Sequence, residues 1–114
     1  MDYKRGDIVL VDFNPQKRKE EAGKVRPAVI LSDTELNDVL DLVTVVALTT
    51  NLIDDAEPLR IRIKPRERLE KESDAMVEQL RSVSKRRLGE RLASATEEEL
   101  EKISYGIRTM LDLG

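Results

Sequence analysis

An arginine stands directly before a proline at the mouth of an apolar run, Val25-Arg26-Pro27-Ala28-Val29-Ile30-Leu31, and a loop dense in charge, Asn14 to Lys24, leads into it. The proline ring pushes its predecessor towards extended geometry. The Arg26 guanidinium is therefore launched from a stiff position, beside a loop whose end is loosened by Gly23. A plainer reading also fits: Arg26 marks a strand start and Pro27 sits where no ladder donor is needed. Four further groups carry polar chemistry. They are Lys17-Arg18-Lys19 with Glu20-Glu21 in the loop, the hydroxyl-rich exit Thr49-Thr50-Asn51, the pair Glu78-Gln79 inside an apolar stretch, and the basic run Lys85-Arg86-Arg87. The chain has no histidine and no cysteine. Ser-His-Asp and Cys-His chemistry and zinc sites built on those residues are thereby excluded. Any catalysis falls to carboxylates, Lys, Arg, Tyr, Ser or Thr.

The elements that must position these groups read mostly as strands. Ile8 to Phe13 is apolar, β-branched and of strand length. Val25 to Leu31 is a second strand, followed by a polar or single helical turn around Ser32-Asp33, Glu35 and Asn37. Leu42 to Leu48 is a third, apolar on both faces and hence central. Because strand side chains alternate, Thr49 and Thr50 should face opposite sides of the sheet. In Pro58 to Lys64, Leu59, Ile61 and Ile63 alternate with Arg60, Arg62 and Lys64, which predicts one core face and one basic stripe. Pro65 to Asp74 is a charged connection. Ala75 to Val83 reads as a further continuous strand with Glu78-Gln79 at its middle, and Glu90 to Ala93 as a last short one. The period then changes. Ser94 or Thr96 caps a helix, Thr96-Glu97-Glu98-Glu99 has capping-box spacing, and Leu100, Ile103, Ile107, Met110 and Leu111 recur at helical intervals. The pattern predicts a mainly β domain with a C-terminal helix: a small SH3-like antiparallel barrel or strongly bent sheet, with no βαβ crossovers.

With 114 residues, 39% of them hydrophobic and 38% charged, the chain fits one domain, 1–114, with a single core. A net charge of −3 argues against a generally cationic coat for nucleic acid, although local clustering can override it. No run is long enough to span a bilayer and the N-terminus lacks a signal-peptide core, so a cytoplasmic protein is expected.

Lys4 to Pro15, Glu20 to Ser32, Val46 to Thr50 and Val77 to Val83, in this order and spacing, resemble the MazF/PemK family of toxin endoribonucleases. The similarity extends over nearly the whole chain, including the basic turn and the final helix. It implies the MazF/PemK/CcdB-like fold, a homodimer, cleavage of single-stranded RNA at short sequences without ribosome, cofactor or metal, and silencing by a cognate antitoxin protein. Carried over residue by residue, Arg26 matches the family's catalytic arginine and Thr49 its catalytic hydroxyl. Glu20 matches the loop glutamate, with Glu21 as the alternative because the loop is one residue longer than the family pattern. Glu78 and Gln79 match the acidic-Gln pair of the RNA groove. Lys17, Lys19, Thr50, Asn51 and Arg86 complete the expected RNA-binding set. Met76 stands where one branch of the family places a second arginine.

RNA cut by its own 2′-hydroxyl needs a base for that proton, positive charge on the phosphoryl oxygens, and a proton for the departing 5′-oxygen. A guanidinium suits the second task, being planar, permanently charged and able to donate twice. Thr49 can donate to the same phosphate, and Glu20 is the candidate base. Glu20 also fits as a solvated partner of Lys17 or Lys19, and Gln79 as a base reader or as a buried amide satisfying backbone groups. A non-catalytic barrel module acting by protein binding is the competing function. Its gyrase-poison form is disfavoured by the non-aromatic end Met110-Leu111-Asp112-Leu113-Gly114.

Overall fold

β1 (Asp7–Asp12) pairs antiparallel with β2 (Val25–Ile30), and β2 with β3 (Leu42–Thr49), in a computed structural model that describes residues 2–13 and 25–114. Between β2 and β3 lies α1 (Thr34–Val39), capped by Asp33, whose carboxylate accepts from the backbone N–H of Glu35 and Leu36. β4 (Arg60–Ile63), β5 (Ser73–Met76), β6 (Arg81–Ser84) and β7 (Leu88–Ser94) follow, then α2 (Glu97–Met110). The strand order is β4-β5-β3-β2-β1-β7, with β6 also on β3, and every described pairing is antiparallel. β6 and β7 form no ladder with each other, so the barrel-like sheet stays open at that seam.

The continuous strand expected over Ala75 to Val83 is instead two strands separated by a 3₁₀ turn, Val77–Gln79. The registers explain the break. Leu48 of β3 faces Ala75, whereas Val45 faces Arg81. Three steps along β3 therefore correspond to six along its partner, and the surplus is the turn itself. Val77, fully buried, drops under α2 and so pulls the chain out of the ladder. Glu78 and Gln79 lie on this exposed turn rather than in a strand.

The sheet has two apolar faces. One holds Ile8, Val29, Val46, Leu48, Ile61, Ile63, Val77 and Ile103 and is covered by α2. The other holds Val9, Val11, Ala28, Ile30, Val43, Val45 and Val83, with Tyr3, Phe13 and Leu88 packed against it. α2 carries the expected capping box: Glu99 N–H donates to Thr96 Oγ1 at 3.1 Å and Thr96 N–H to Glu99 Oε1 at 2.9 Å. Leu100, Ile103, Ile107 and Met110 pack inward, but Leu111 ends the helix half exposed. At Gly106 an added Cβ would lie 2.2 Å from the Pro58 carbonyl oxygen, so the helix presses on the backbone before β4 through a residue without a side chain. No helix among the described residues is long and apolar enough to cross a membrane.

The basic stripe expected on β4 is neutralised. Ile61 and Ile63 do face the core, but Leu59 lies outside the strand and is partly exposed. Arg60 pairs with Glu78 at 3.2 Å, Arg62 with Asp74 at 2.6 Å and Asp54 at 2.9 Å, and Lys64 with Glu72 at 3.1 Å. The hydrogen bonds that Arg62 donates to Asp74 and Asp54 push its pKa further above its ordinary value. Acids from β5 and the neighbouring turns thus consume the charge that alternation alone left free.

Candidate functional site

Arg26 and Thr49 lie at the same end of neighbouring strands and on the same face. On β2 and β3, Ala28 faces Ala47, Val29 faces Val46 and Ile30 faces Val45. Continued two residues towards the loop end, the register sets Arg26 against Thr49. Residues two apart share a face. Arg26 thus lies on the face of Ala28 and Ile30, and Thr49 on that of Val45, which is the face of the second apolar cluster. β1 supports the pair from its far side, with Val11 opposite Arg26. Pro27 lies just beyond the last β2–β3 pairing, where its missing N–H costs no ladder bond to β3. Arg26 is half buried and makes no hydrogen bond or ion pair among the described residues.

Thr49 closes β3, and its Oγ1 accepts from the Asn51 N–H at 3.1 Å. That bond uses the oxygen as an acceptor and leaves the hydroxyl proton to donate. Thr50 and Asn51 form the exposed bend that follows, with Thr50 on the opposite side of the strand from Thr49, as alternation requires. The bend is anchored by Asp74, 1% exposed, which faces Thr49 from β5 and accepts from the Ile53 N–H at 2.8 Å and from Arg62 Nε at 2.6 Å. A polar row, Arg26-Thr49-Asp74-Arg62, thereby crosses β2, β3, β5 and β4. A cleft of about 390 Å³ lined by Asp54, Asp55, Glu57, Arg60, Arg62 and Asp74 opens at its β4 end.

The other expected residues are less close-knit. Glu78 is turned to Arg60 on β4, and the exposed Gln79 side chain makes no hydrogen bond among the described residues. Neither side chain is hydrogen-bonded or ion-paired to Arg26 or Thr49. Arg86 is exposed in a 3₁₀ turn, Lys85–Arg87, whose cap Ser84 accepts from the Arg86 N–H at 3.3 Å. Lys17, Lys19 and Glu20, with Glu21, lie outside the described residues. Among the described residues no group of three acidic side chains is placed to hold a metal ion.

Three residues at this end escaped the sequence reading. Asp74 was counted as part of a charged connection. Phe13 and Arg81 border the face that Arg26 extends, with the Arg81 guanidinium over the Phe13 ring at 5.3 Å from its centroid. A period-two reading backwards from buried Val83 would have set Arg81 on the inner face.

Comparison with known proteins agrees with this fold. The sequence profile of one family, described as "PemK-like, MazF-like toxin of type II toxin-antitoxin system", matches residues 4–111. The chain is 31% identical over 111 residues to a Staphylococcus saprophyticus protein named Endoribonuclease MazF, covering 96% of this chain and 92% of that protein. Among solved structures, MazF from Deinococcus radiodurans aligns with a TM-score of 0.80 at 24% identity, covering 98% of each chain. A mycobacterial endoribonuclease in complex with its cognate antitoxin aligns with a TM-score of 0.77 at 22% identity, covering 98% of this chain and 97% of the other. At those identities the two structures speak to the fold. The profile and the curated relative settle the kinship: the chain belongs to the PemK/MazF family of toxins of type II toxin–antitoxin systems.

Proposed function

We propose that the protein is an endoribonuclease toxin that cuts single-stranded RNA at short sequences by attack of the RNA's own 2′-hydroxyl. The observation that carries this is an Arg26 guanidinium that no carboxylate among the described residues holds, on the sheet face that Thr49 shares and two residues beyond the Ala28–Ala47 pair, in a chain of this family. Arg26 donates to the phosphoryl oxygens as negative charge builds on them. Thr49, its oxygen occupied by the Asn51 N–H, donates to the same phosphate. Glu20, by the family pattern, accepts the 2′-hydroxyl proton. The 2′-oxygen bonds to phosphorus as the bond to the 5′-oxygen breaks, and that oxygen takes its proton from solvent, because a guanidinium surrenders one reluctantly. The products are a 2′,3′-cyclic phosphate and a 5′-hydroxyl. No water or metal is needed as nucleophile or activator.

The named relative is an endoribonuclease and a structural neighbour is held by its cognate antitoxin. By kinship this chain acts in the cytoplasm as a homodimer and is silenced by an antitoxin whose extended, partly acidic segment competes with RNA for the cationic face. Lys17, Lys19, Thr50, Asn51, Glu78, Gln79 and Arg86 are proposed to hold the strand. The test is incubation of purified protein with single-stranded RNA in chelator, followed by sequencing of the 5′-hydroxyl ends. Cleavage at a recurrent short motif is expected. A requirement for divalent metal, or equal cutting of an all-deoxy strand, overturns the mechanism.

A further inference from the structure

We infer that Arg81 is a second substrate-binding cation of this site, holding the RNA phosphate next to the one that reacts at Arg26. The inference rests on the endoribonuclease reading. Arg81 opens β6 opposite Val45, so it projects on the same face of the sheet as Thr49 and Arg26. Phe13 lies two residues beyond Val11, the β1 partner of Arg26, and packs against that face. Being two residues along from the partner of Arg26, Phe13 is its diagonal neighbour, with Cα atoms roughly 7–8 Å apart. The Arg81 guanidinium, over the Phe13 ring at 5.3 Å from its centroid, thus crosses from β6 to the neighbourhood of Arg26.

What Arg81 lacks is as informative as what it touches. It is exposed and pairs with no carboxylate among the described residues, whereas Arg60, Arg62, Arg66, Arg68 and Arg91 each have an acidic partner. An aromatic face orients a guanidinium without consuming any of its N–H donors. The result is a cation held at a fixed place with its hydrogen-bonding edge open. Such a group suits the planar, two-pronged recognition of a phosphate better than a flexible ammonium does. An arginine serving only to close the apolar mouth would be replaceable by any side chain of similar length.

The experiment measures cleavage of a single-stranded RNA by the full chain across a range of salt concentrations, with melting temperature in parallel, for the parent, Arg81→Met, Arg81→Lys and Phe13→Leu. Arg81→Met keeps the apolar stem and removes the charge. It is expected to raise KM about tenfold and leave kcat within a few-fold. It should also flatten the slope of log kcat/KM against log salt by about 0.7, the share of one phosphate on a single strand. Arg81→Lys should restore the slope and only part of the affinity. Phe13→Leu should keep the slope and raise KM through loss of the platform. An Arg81→Met protein with the parent's KM and salt slope overturns the inference while leaving the endoribonuclease reading intact. A fall in kcat as large as that of Arg26→Ala would place Arg81 on the reacting phosphate and overturn the assignment to its neighbour. If Arg81→Met does not fold, Arg81→Lys decides, since a parental KM for it shows that the flat guanidinium is not used. A parent protein that cuts no RNA defeats both readings.

Discussion

Arg26 and Arg62 terminate the same polar row of the sheet and live in opposite electrostatic worlds. Arg62, on β4, is surrounded by Asp74 at 2.6 Å, Asp54 at 2.9 Å and Glu72 at 3.8 Å. Arg26, on β2, meets no carboxylate among the described residues. The contrast extends beyond the two residues. Most cations of β4, β7 and the β4–β5 connection are tied up in pairs such as Arg60–Glu78, Arg66–Glu99, Arg68–Glu90 and Arg91–Asp7. Among the described residues Arg26, Arg81, Lys85, Arg86 and Arg87 are in none. A chain of net charge −3 can still carry cations that no described acid compensates, because several of its acids are paired with the arginines of β4, β7 and the β4–β5 connection. On the proposed function, the paired cations hold the shape and the unpaired ones meet the substrate.

The first way to break this comparison is to remove one arginine from each end of the row. Arg26→Ala should cost on the order of 3–4 kcal/mol at the transition state, a loss of several hundredfold in kcat. Its melting temperature should stay at the parent's, since no described polar partner is orphaned. Single-turnover cleavage beside a melting curve reads both. Arg62→Ala should do the reverse. It strands the buried Asp74 carboxylate with only the Ile53 N–H, so the melting temperature falls by several degrees. Cleavage measured well below that temperature should stay within a few-fold. A slow but fully stable Arg62→Ala, or an unfolded Arg26→Ala, would erase the division of labour.

A smaller effect sharpens what the paired cations contribute. Arg66 donates to both oxygens of the Glu99 carboxylate, at 2.7 and 2.6 Å, while Glu99 also closes the helix cap. Burial raises the Glu99 pKa, but the Arg66 hydrogen bonds and the Thr96 N–H outweigh it, and the net direction is down from the ordinary carboxylate value. A carboxyl with a lowered folded pKa binds its proton more readily in the unfolded chain. The stability it confers is complete above the ordinary value and is lost as pH falls through the lowered one. Glu99→Gln keeps an acceptor for Arg66 and should cost about 1 kcal/mol at neutral pH. Its stability should also decline less steeply under acid, as pH-dependent urea unfolding would show. A parallel acid limb for parent and variant would count against the pair.

The strands that carry the candidate residues were legible in the sequence. Arg26-Pro27 and Thr49 are flanked by apolar strands whose two-residue period fixes their faces. The turn at Val77–Gln79 was hidden because it arises from a mismatch between two registers on β3, which no window along β5 and β6 contains. The neutralised β4 stripe was misread for a related reason. The partners of Arg60 and Arg62 come from Glu78 and Asp74, brought in by tertiary pairing. Arg81 over Phe13 joins residues 68 positions apart, so its signal was at most a parity on β6. The capping box of α2, by contrast, joins residues only three positions apart and is legible in the sequence.

The smallest prediction tests the division where neither residue is near the reacting phosphate. Arg86 and Lys64 are both exposed surface cations, and they differ in that Lys64 is held 3.1 Å from Glu72 while Arg86 has no acidic partner among the described residues. A charge already compensated by a neighbouring carboxylate releases little counterion when RNA approaches, whereas a free one contributes about 0.7 to the salt slope on a single strand. Arg86→Ala should therefore flatten the dependence of RNA affinity on salt by about that amount. Lys64→Ala should leave the slope alone and alter stability by less than about 0.5 kcal/mol, as expected of an exposed pair. Filter binding of an uncleavable all-deoxy strand at three salt concentrations separates the two. Equal slopes for both variants would mean that RNA is drawn by the whole surface rather than by the unpaired cations.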